Sequence, residues 1–385
     1  MKAIILNNSK YCYKELIDEK IIDLVLRRLQ HFEFENYFII DNDNLKLKDY
    51  LNDSYIYINE SSLNLIEQLK KCLIHINESK VLIVFNTLPC LDKATIESLI
   101  KCNDVDLSYA NLDDSYIIYG SSKVILETIL NNEVLDIQNL INFISNRKLV
   151  RIENKECLIN IKDIISFNKA RKYLQNKINN KWINRGVFLE DVDSILIGER
   201  VVIYDDVCIK DNNKLLGNTI IYEGAILEEN NYIYNSIVNR KSNIKSSRIL
   251  NSSIGEKTSV GPYSHIHSNS FVGDECKIGN YVEVKNSKIG NKTKASHLIY
   301  IGDSEVGDNV NFGCGSITVN YDGKRKNKTI IGNDCFIGCN VNLIAPLKIS
   351  DGAFIAAGST ITKDIPSNTF SIARSYQVNK INYFD

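Results

Sequence analysis

The sequence lacks three features that would assign it to a broad class: charge of one sign, long apolar runs and paired cysteines. Its 46 Lys and Arg nearly balance its 47 Asp and Glu, giving a net charge of −1, so no basic excess indicates a nucleic-acid partner. No stretch approaches about eighteen apolar residues, and we expect no membrane span. The N-terminus turns polar at Asn7, too soon for a signal peptide, and we expect a cytoplasmic protein.

The cysteines are scattered through the chain. There are ten of them, with neither a CxxC pair nor the Cys and His spacing of a metal site. In a protein without a secretion signal we expect reduced thiols, most of them buried as small hydrophobic side chains. The sequence therefore predicts neither a disulfide framework nor a metal centre.

What the sequence does contain is an aliphatic residue at every sixth position in two C-terminal stretches. A six-residue period fits neither a helix nor a flat strand. It is typical of a hexapeptide-repeat parallel β-helix, in which each hexad forms one short strand and one turn and the aliphatic side chains stack in a central column. The two stretches are Ile254, Val260, Ile266, Val272, Ile278 and Val284, and then Ile331, Ile337, Leu343, Ile349, Ile355 and Ile361.

The N-terminal part instead alternates apolar runs with helical patterns. This alternation predicts an α/β domain with a parallel sheet. We expect Ala3–Leu6 and Val81–Phe85 to be buried strands, and Asp23–Leu29 and Leu63–Ile76 to be helices.

A long polar stretch connects the two parts. Lys162–Asn184 has helical periodicity and is followed by Gly186, a residue typical of a helix end. We expect the first coils of the β-helix, over Ile195–Asn243, to be less regular than those that follow. The predicted boundaries are 1–160 for the α/β domain, 161–190 for the connecting helix and 191–385 for the β-helix.

The hexads are interrupted by the polar, basic loop 320–327, with the sequence NYDGKRKN. Insertions in a β-helix collect on one face and often carry a binding site. A tolerated surface insertion is the alternative interpretation, and the loop sequence leaves both open.

Several longer motifs stand out in the C-terminal part. They are VEVK at 282–285, KASHLIYIGD at 294–303, NVNFGCG at 309–315 and NYDG at 320–323, with Lys326. Together they resemble a known bacterial family, the bifunctional enzymes that make UDP-N-acetylglucosamine for the cell wall, in which an N-terminal uridylyltransferase is joined to a C-terminal glucosamine-1-phosphate N-acetyltransferase. The resemblance is colinear from about Gly261 to Lys380 and weaker from Lys162. It implies a left-handed β-helix, acetyl-CoA as co-substrate and a homotrimer with sites between neighbouring chains.

The resemblance assigns His297 the role of catalytic base. An imidazole titrates near neutral pH and suits the removal of a proton from an amine, and a structural histidine is the alternative. Glu283 would orient or support the imidazolium, with a solvated charge at a strand edge as the alternative. The backbone N–H of Cys314 would stabilise the oxyanion of the thioester. An acyl-cysteine at Cys314 or Cys339 is less favoured, because neither has a basic neighbour in the sequence.

The resemblance also assigns the two substrates. Lys285 and Lys326 would hold the sugar phosphate, and Tyr300 and Asn311 would hydrogen-bond the sugar. His267 stands where the family has a phosphate-binding arginine, which implies weaker phosphate affinity or a different amino sugar as acceptor. The acetyl-CoA residues would be Cys314, Asn320, Tyr321, Cys339, Ala357, Arg374 and Lys380, with Asn320 also near the sugar.

The N-terminal domain is similar to sugar nucleotidyltransferases, with their Rossmann-like fold, but lacks their chemical groups. The segment Asn7-Asn8-Ser9-Lys10 offers no glycine that would let the backbone approach nucleotide phosphates. Thr87 stands where the family has a metal-binding aspartate. We therefore expect a degenerate domain without uridylyl transfer, whose role is structural, regulatory or protein-binding. A non-catalytic scaffold is the alternative for the whole chain.

Overall fold

The computed structural model describes residues 1–7, 9–41, 47–51, 55–58 and 64–381. The chain forms two compact units, 1–175 and 176–385. The domain boundaries expected from the sequence stay a prediction.

The first unit is an α/β domain, as predicted. Its strands are β1 (Lys2–Asn7), β2 (Glu15–Leu16), β3 (Glu19–Lys20), β4 (Asn36–Asp41), β5 (Ile56–Ile58), β6 (Lys80–Phe85), β7 (Leu107–Leu112), β8 (Ser115–Ser121) and β9 (Arg147–Leu149). Its helices are α1 (Ile21–Leu29), α2 (Leu47–Tyr50), α3 (Leu65–Ile74), α4 (Lys93–Ile100), α5 (Ser122–Asn131) and α6 (Ile137–Phe143), with short 3-10 helices at Lys10–Tyr13 and Lys155–Leu158.

The described strands form a mixed sheet in the order β5-β4-β1-β6-β8-β7-β9. The expectation of a parallel sheet holds for β1, β4, β5 and β6 but is wrong for β8, which runs antiparallel to both its neighbours. The physical reason is the two-residue turn at Asp113 and Asp114, since so short a link joins only antiparallel strands.

Apolar cores cover both faces of this sheet. Ile4 and Leu6 lie in one core and Ile5 in the other, because successive side chains of a strand point to opposite faces. The predicted strands and helices are confirmed as β1, β6, α1 and α3. The predicted start of α3, Leu63, lies outside the described residues.

The long helix α7 (Ile164–Ile183) confirms that the stretch Lys162–Asn184 is helical, while its role as a connection stays a prediction. It ends as expected before Gly186, whose φ of 87° is left-handed and whose N–H donates to Ile183 O at 2.9 Å. Neither α7 nor any other helix in the described part of the chain is long and apolar enough to cross a bilayer.

The second unit is a left-handed parallel β-helix, built from short strands that stack coil upon coil. The strands are β10 (Phe188–Leu189), β11 (Leu196–Ile197), β12 (Val202–Ile203), β13 (Cys208–Ile209), β14 (Lys214–Leu216), β15 (Ile220–Ile221), β16 (Ile226–Leu227), β17 (Tyr232–Tyr234), β18 (Ile237–Val238), β19 (Asn243–Ile244), β20 (Arg248–Leu250), β21 (Ser253–Ile254), β22 (Ser259–Val260), β23 (His265–His267), β24 (Phe271–Val272), β25 (Lys277–Lys285), β26 (Lys288–Ile289), β27 (Lys294–Gly302), β28 (Ser304–Val306), β29 (Asn311–Phe312), β30 (Ile317–Val319), β31 (Thr329–Ile331), β32 (Phe336–Ile337), β33 (Asn342–Ile344), β34 (Leu347–Ile349), β35 (Phe354–Ile355), β36 (Thr360–Ile361) and β37 (Phe370–Ser371).

The predicted aliphatic column is confirmed. Ile254 pairs with Val272 of the next coil, and Ile331 pairs with Ile349, all of them buried. The prediction that the first coils are irregular is wrong. Their strands pair in the same parallel way, because the inward positions keep the six-residue spacing from Ile197 to Ile233 while the outward positions vary.

A ladder of buried serines fixes the register of successive coils. The backbone N–H groups of Ser252, Ser270, Ser287 and Ser304 each donate to the side-chain oxygen of the serine one coil earlier, starting from Ser236, at 3.0–3.3 Å. These bonds satisfy polar groups that the core removes from water. They also fix the heights of the outward side chains that form the site.

The cysteine prediction is confirmed for most positions. All ten cysteines lie in the described residues, and the buried ones are Cys12, Cys72, Cys90, Cys157, Cys276 and Cys335. Burial raises the pKa of the Cys276 thiol to about 11, so it is a neutral packing group.

Candidate functional site

His297 lies at a corner of the β-helix, next to Asn280. Strands β25 and β27, each of nine residues, pair in parallel around this corner and set Asn280 directly beside His297. Nδ1 of the exposed imidazole lies 2.6 Å from Asn280 Oδ1. With Nδ1–H donating to this oxygen, Nε2 carries the lone pair and is the atom available to accept a proton.

Glu283 contacts His267 and not His297. Nε2 of His267 lies 3.1 Å from Glu283 Oε1, while its Nδ1 lies 2.9 Å from Ser268 Oγ. The expected contact between Glu283 and the His297 ring is thus not formed, because Glu283 lies past the corner that β25 turns after Asn280. The residue that contacts the His297 ring is therefore Asn280 and not, as the sequence suggested, Glu283.

A second imidazole stacks on His267. The ring centroids of His265 and His267 are 4.1 Å apart. Burial, followed by the neighbouring His267, lowers the pKa of His265, whereas the carboxylate of Glu283 opposes this effect. His265 is therefore a neutral packing partner for His267 at neutral pH.

Tyr300, Asn320 and Lys326 form one cluster. The Asn320 amide nitrogen lies 3.4 Å from Tyr300 Oη and also donates to the carboxylate of Asp303. Burial raises the pKa of Tyr300, and the nearby charges of Glu283 and Asp303 add to this rise, while the hydrogen bond from Asn320 and the charge of Lys326 oppose it. The structure thus brings together three residues that the sequence predicted, Tyr300, Asn320 and Lys326, and adds Asp303.

The loop 320–327 is an ordered turn that closes on Asn320. The carboxylate of Asp322 accepts the backbone N–H groups of Lys324 and Arg325 at 2.8 Å each, and the Asn327 amide at 3.0 Å. These hydrogen bonds, the one from Arg325 first, hold the pKa of Asp322 at about 2. The Asn327 N–H donates to Asn320 O at 2.7 Å. This order supports the interpretation of the loop as part of a site.

Lys285 and Asn311 lie on opposite sides of the His297 corner. Lys285 pairs with His267 in the preceding coil, on the face that carries Tyr300. Asn311 pairs with Lys294 on the adjacent face. The Lys285 ammonium has no ion pair or hydrogen bond within the described ranges, so it is available to an anion.

Small exposed side chains continue along the His297 corner. The Asn340 N–H donates to Cys314 O and the Gly358 N–H to Cys339 O, both at 2.8 Å, so Cys314, Cys339 and Ala357 follow one another up the corner. All three are exposed. The N–H of Cys314 finds no acceptor in the described part of the chain.

The remaining predicted residues lie around the strip of small side chains formed by Cys314, Cys339 and Ala357. A Cβ at Gly358 would lie 3.8 Å from Arg374 Cδ, so Arg374 reaches the corner. Lys380 follows in an exposed segment. Tyr321 is 58% exposed, and its hydroxyl donates to Gly323 O at 2.8 Å.

The first unit has packed asparagines at the carboxyl ends of its central strands, where α/β sheets bind ligands. Asn7 ends β1 and Asn86 follows β6, both are fully buried, and the Asn86 amide donates to Asn7 Oδ1. Thr87 is also buried and hydrogen-bonds Asn160. None of these four side chains is a carboxylate, and Asn8 lies outside the described residues.

Sequence comparisons match part of the chain. Residues 328–363 match the model described as "Bacterial transferase hexapeptide (six repeats)". The chain is 45% identical over 233 residues to the "Bifunctional protein GlmU" of Listeria welshimeri, covering 60% of this chain and 51% of the relative. It is 50% identical over 232 residues to that of Acholeplasma laidlawii, covering 60% and 50%. The chain thus spans about half the length of these relatives, and the resemblance seen in the motifs is confirmed.

Two solved structures are each similar to part of the chain. The bifunctional IspDF of Campylobacter jejuni has a TM-score of 0.37 and 16% identity, covering 44% of this chain and 53% of that one. The UDP-N-acetylglucosamine acyltransferase of Francisella novicida also has a TM-score of 0.37 and 16% identity, covering 48% and 67%.

Proposed function

We propose, from a C-terminal unit that resembles that of the bifunctional GlmU proteins, that this chain is an N-acetyltransferase. It moves the acetyl group of acetyl-CoA to the amine of glucosamine 1-phosphate and releases coenzyme A. One observation carries the proposal. The imidazole of His297, held through Nδ1 by Asn280, lies between a polar cluster suited to a sugar phosphate and a strip of small side chains suited to a thioester.

The transfer uses the protein's own groups. Nε2 of His297 takes a proton from the acceptor amine as the amine nitrogen bonds to the thioester carbonyl carbon. The N–H of Cys314 donates to the oxyanion that forms. When the carbon–sulfur bond breaks, the departing thiolate takes the proton from His297. Atoms and charge therefore balance without a metal in the transfer.

Each substrate has its own set of residues in this proposal. Lys285 and Lys326 hold the phosphate, and Tyr300 and Asn311 hydrogen-bond the sugar. The pantetheine arm of acetyl-CoA runs along the exposed corner, since the side chains of Cys314, Cys339 and Ala357 there are small. Its residues are Cys314, Cys339 and Ala357 on the corner, Asn320 and Tyr321 in the loop, and Arg374 and Lys380 for the coenzyme phosphates.

The first unit has no part in this chemistry. The buried Asn7–Asn86 pair and the neutral Thr87 support the loss of uridylyl transfer. Its remaining role is structural, regulatory or protein-binding. The assembly that we propose is a cytoplasmic homotrimer, in which neighbouring copies complete each site.

A different amino sugar is the second candidate acceptor. The contact between His267 and Glu283 favours it, because the imidazole that replaces the family's arginine is engaged by a carboxylate of its own chain. An imidazole also cannot form the bidentate phosphate contact of a guanidinium. The family acceptor remains first, since both lysines are retained.

The test is release of free coenzyme A thiol by the purified full chain in the presence of different acceptors. We expect turnover with glucosamine 1-phosphate and a much lower rate with glucosamine, which lacks the phosphate. Equal rates with the two acceptors would favour a different amino sugar as the acceptor. If no amino sugar leads to thiol release, the chain would instead be a non-catalytic scaffold. Pyrophosphate release from UTP would contradict the lost uridylyl transfer.

A further inference from the structure

Cys314 and Cys339 occupy the same position on successive coils. Phe312 pairs with Ile337 at the ends of β29 and β32, and each cysteine lies two residues past its strand. The Asn340 N–H donates to Cys314 O at 2.8 Å, so the parallel register continues around the corner. Because neighbouring strands lie about 4.8 Å apart, the two Cα atoms are within the range of about 4.4–6.8 Å that disulfides span.

The backbone has the same shape at the two cysteines. Cys314 is followed by Gly315, with a φ of 77°, and Cys339 by Asn340, with a φ of 54°. Both left-handed residues turn the chain in the same way, so the two Cα–Cβ bonds leave the corner in the same direction. Moving the Cβ atoms from one strand spacing to the separation of about 3.8 Å found in disulfides takes about 1 Å at an exposed turn.

The two corner thiols are exposed, unlike the buried thiols of the same unit. Cys276 and Cys335 direct their thiols to backbone carbonyls of the next coil, at 3.0 and 3.2 Å. Cys314 and Cys339 are exposed, and within the described ranges neither sulfur has a hydrogen-bond partner. Because oxidation of cysteine follows exposure, the corner pair is where an oxidant in solution reacts.

His297 lies one coil before Cys314 in the same column. Ala295 pairs with Phe312, so the residues two positions further, His297 and Cys314, are opposite each other. In the proposed transfer the thioester lies between Nε2 of His297 and the N–H of Cys314. A disulfide to Cys339 would pull Cys314 towards the next coil and cover the strip of small side chains. The bridged corner should therefore exclude the thioester from the reacting position.

We propose that Cys314 and Cys339 are a redox-modification site, at which a disulfide between them closes the corner to acetyl-CoA. The oxidant is a low-molecular-weight disulfide. The thiolate of one cysteine attacks it, forms a mixed disulfide and releases the first small thiol, and the thiolate of the other cysteine then attacks the protein sulfur and releases the second. The two protein thiols are oxidised, and their two protons end on the two small thiols. The inference rests on the proposed function and adds its regulation.

The experiment treats the purified full chain with oxidised glutathione and measures its intact mass, its disulfide-linked peptides and its initial rate of acetyl transfer to glucosamine 1-phosphate. The chain should lose two hydrogen atoms, and the peptides that carry Cys314 and Cys339 should be linked. The rate should fall about a hundredfold, the scale on which a misplacement of about 1 Å acts at a reacting centre. Dithiothreitol should restore the mass and the rate.

Two variants separate this bridge from other thiol chemistry. The double variant Cys314→Ala, Cys339→Ala cannot form it, and its rate should be the same before and after treatment with oxidised glutathione. The matched control is Cys208→Ala. Cys208 is half-buried in β13 of the same unit and pairs with Phe188 and Ile226, so neither neighbouring coil places a thiol beside it. This variant should form the bridge and lose activity as the wild type does.

The absence of a bridge between Cys314 and Cys339 overturns the proposal, and so does glutathione that stays attached to either thiol without closure of the bridge. A bridged chain that transfers acetyl at the rate of the reduced chain overturns it as well.

A reduced chain that acetylates no amino sugar would contradict the proposed function, and calorimetry with acetyl-CoA then replaces the rate. The thioester suits this titration because it has no free thiol that would reopen the bridge. Binding of acetyl-CoA that is lost only in the bridged chain would support the redox site, whereas equal results for the two forms would overturn it. The two failures are therefore distinct.

Discussion

The Oδ1 atom of Asn280 lies 2.6 Å from Nδ1 of His297, and the two residues are direct neighbours on successive coils. The amide oxygen accepts the Nδ1 proton and so selects the tautomer with its lone pair on Nε2. Asn280 is thus a positioning residue, whose effect on the reaction passes through the imidazole.

Replacing Asn280 tests this role through the pH profile. Asn280→Asp places a carboxylate against Nδ1, which stabilises the imidazolium and should move the acidic limb of kcat to higher pH by about one unit. Asn280→Leu should lower kcat about tenfold to a hundredfold with little change in KM. If the acidic limb of the kcat pH profile stays at the same pH in Asn280→Asp, the contact between Asn280 and His297 is only structural.

The two exposed cysteines separate direct transfer from an acyl-cysteine intermediate. Cys314→Ala and Cys339→Ala keep every backbone N–H, so each should retain activity within a few-fold, roughly the effect of one altered contact. Intact-protein mass spectrometry after incubation with acetyl-CoA should find no acetyl adduct on either thiol. Loss of all turnover in one variant, together with such an adduct, would favour the covalent route.

His265 should make stability depend on pH. Its folded-state pKa is lowered from 6.5, by burial first and then by His267, so the unfolded chain binds this proton more readily. Stability is therefore lost as pH falls below 6.5, with a slope of at most about 1.4 kcal/mol per pH unit. Thermal unfolding between pH 7 and 5 should fall less steeply in His265→Asn, and parallel curves would argue against this role.

The aliphatic column predicts a sharp contrast between two adjacent residues. Leu227 is fully buried, whereas Ile226 beside it in β16 is 38% exposed. Leu227→Ala should lower the free energy of unfolding by about 2–5 kcal/mol, through lost contacts and a cavity. The matched variant Ile226→Ala should cost about 1 kcal/mol or less. Urea unfolding followed by circular dichroism measures both, and equal losses would contradict the inward and outward assignment.

The sequence predicts the buried aliphatic column and the corner that carries His297. It does not predict which outward side chains contact each other between successive coils. Most inward positions recur every six residues, so most of their burial follows from the spacing. Contacts between outward residues depend on coil length, which is 20 residues in the first coil, ranges from 16 to 18 in most others and reaches 25 at the loop. Counting back 17 residues from His297 finds Asn280, but only once that local length is known. The same uncertainty explains why Glu283 was expected at His297 and Asp303 was missed.

The strand directions in the mixed sheet of the first unit could not be predicted for a different reason. Apolar runs such as β6 and β8 give no sign of strand direction, which is set by the connection between them. The buried Asn7–Asn86 contact joins residues 79 apart in sequence, and no local sequence pattern predicts it. The missing glycines and Thr87, by contrast, were visible because they concern single positions.

The most direct measurement of the central claim is acetyl transfer from acetyl-CoA to glucosamine 1-phosphate by the full chain and by its His297→Ala variant. The account predicts turnover by the wild type and a fall of kcat by about 10²–10⁴-fold in the variant, since a general base contributes on that scale. Equal rates for the two proteins would contradict it.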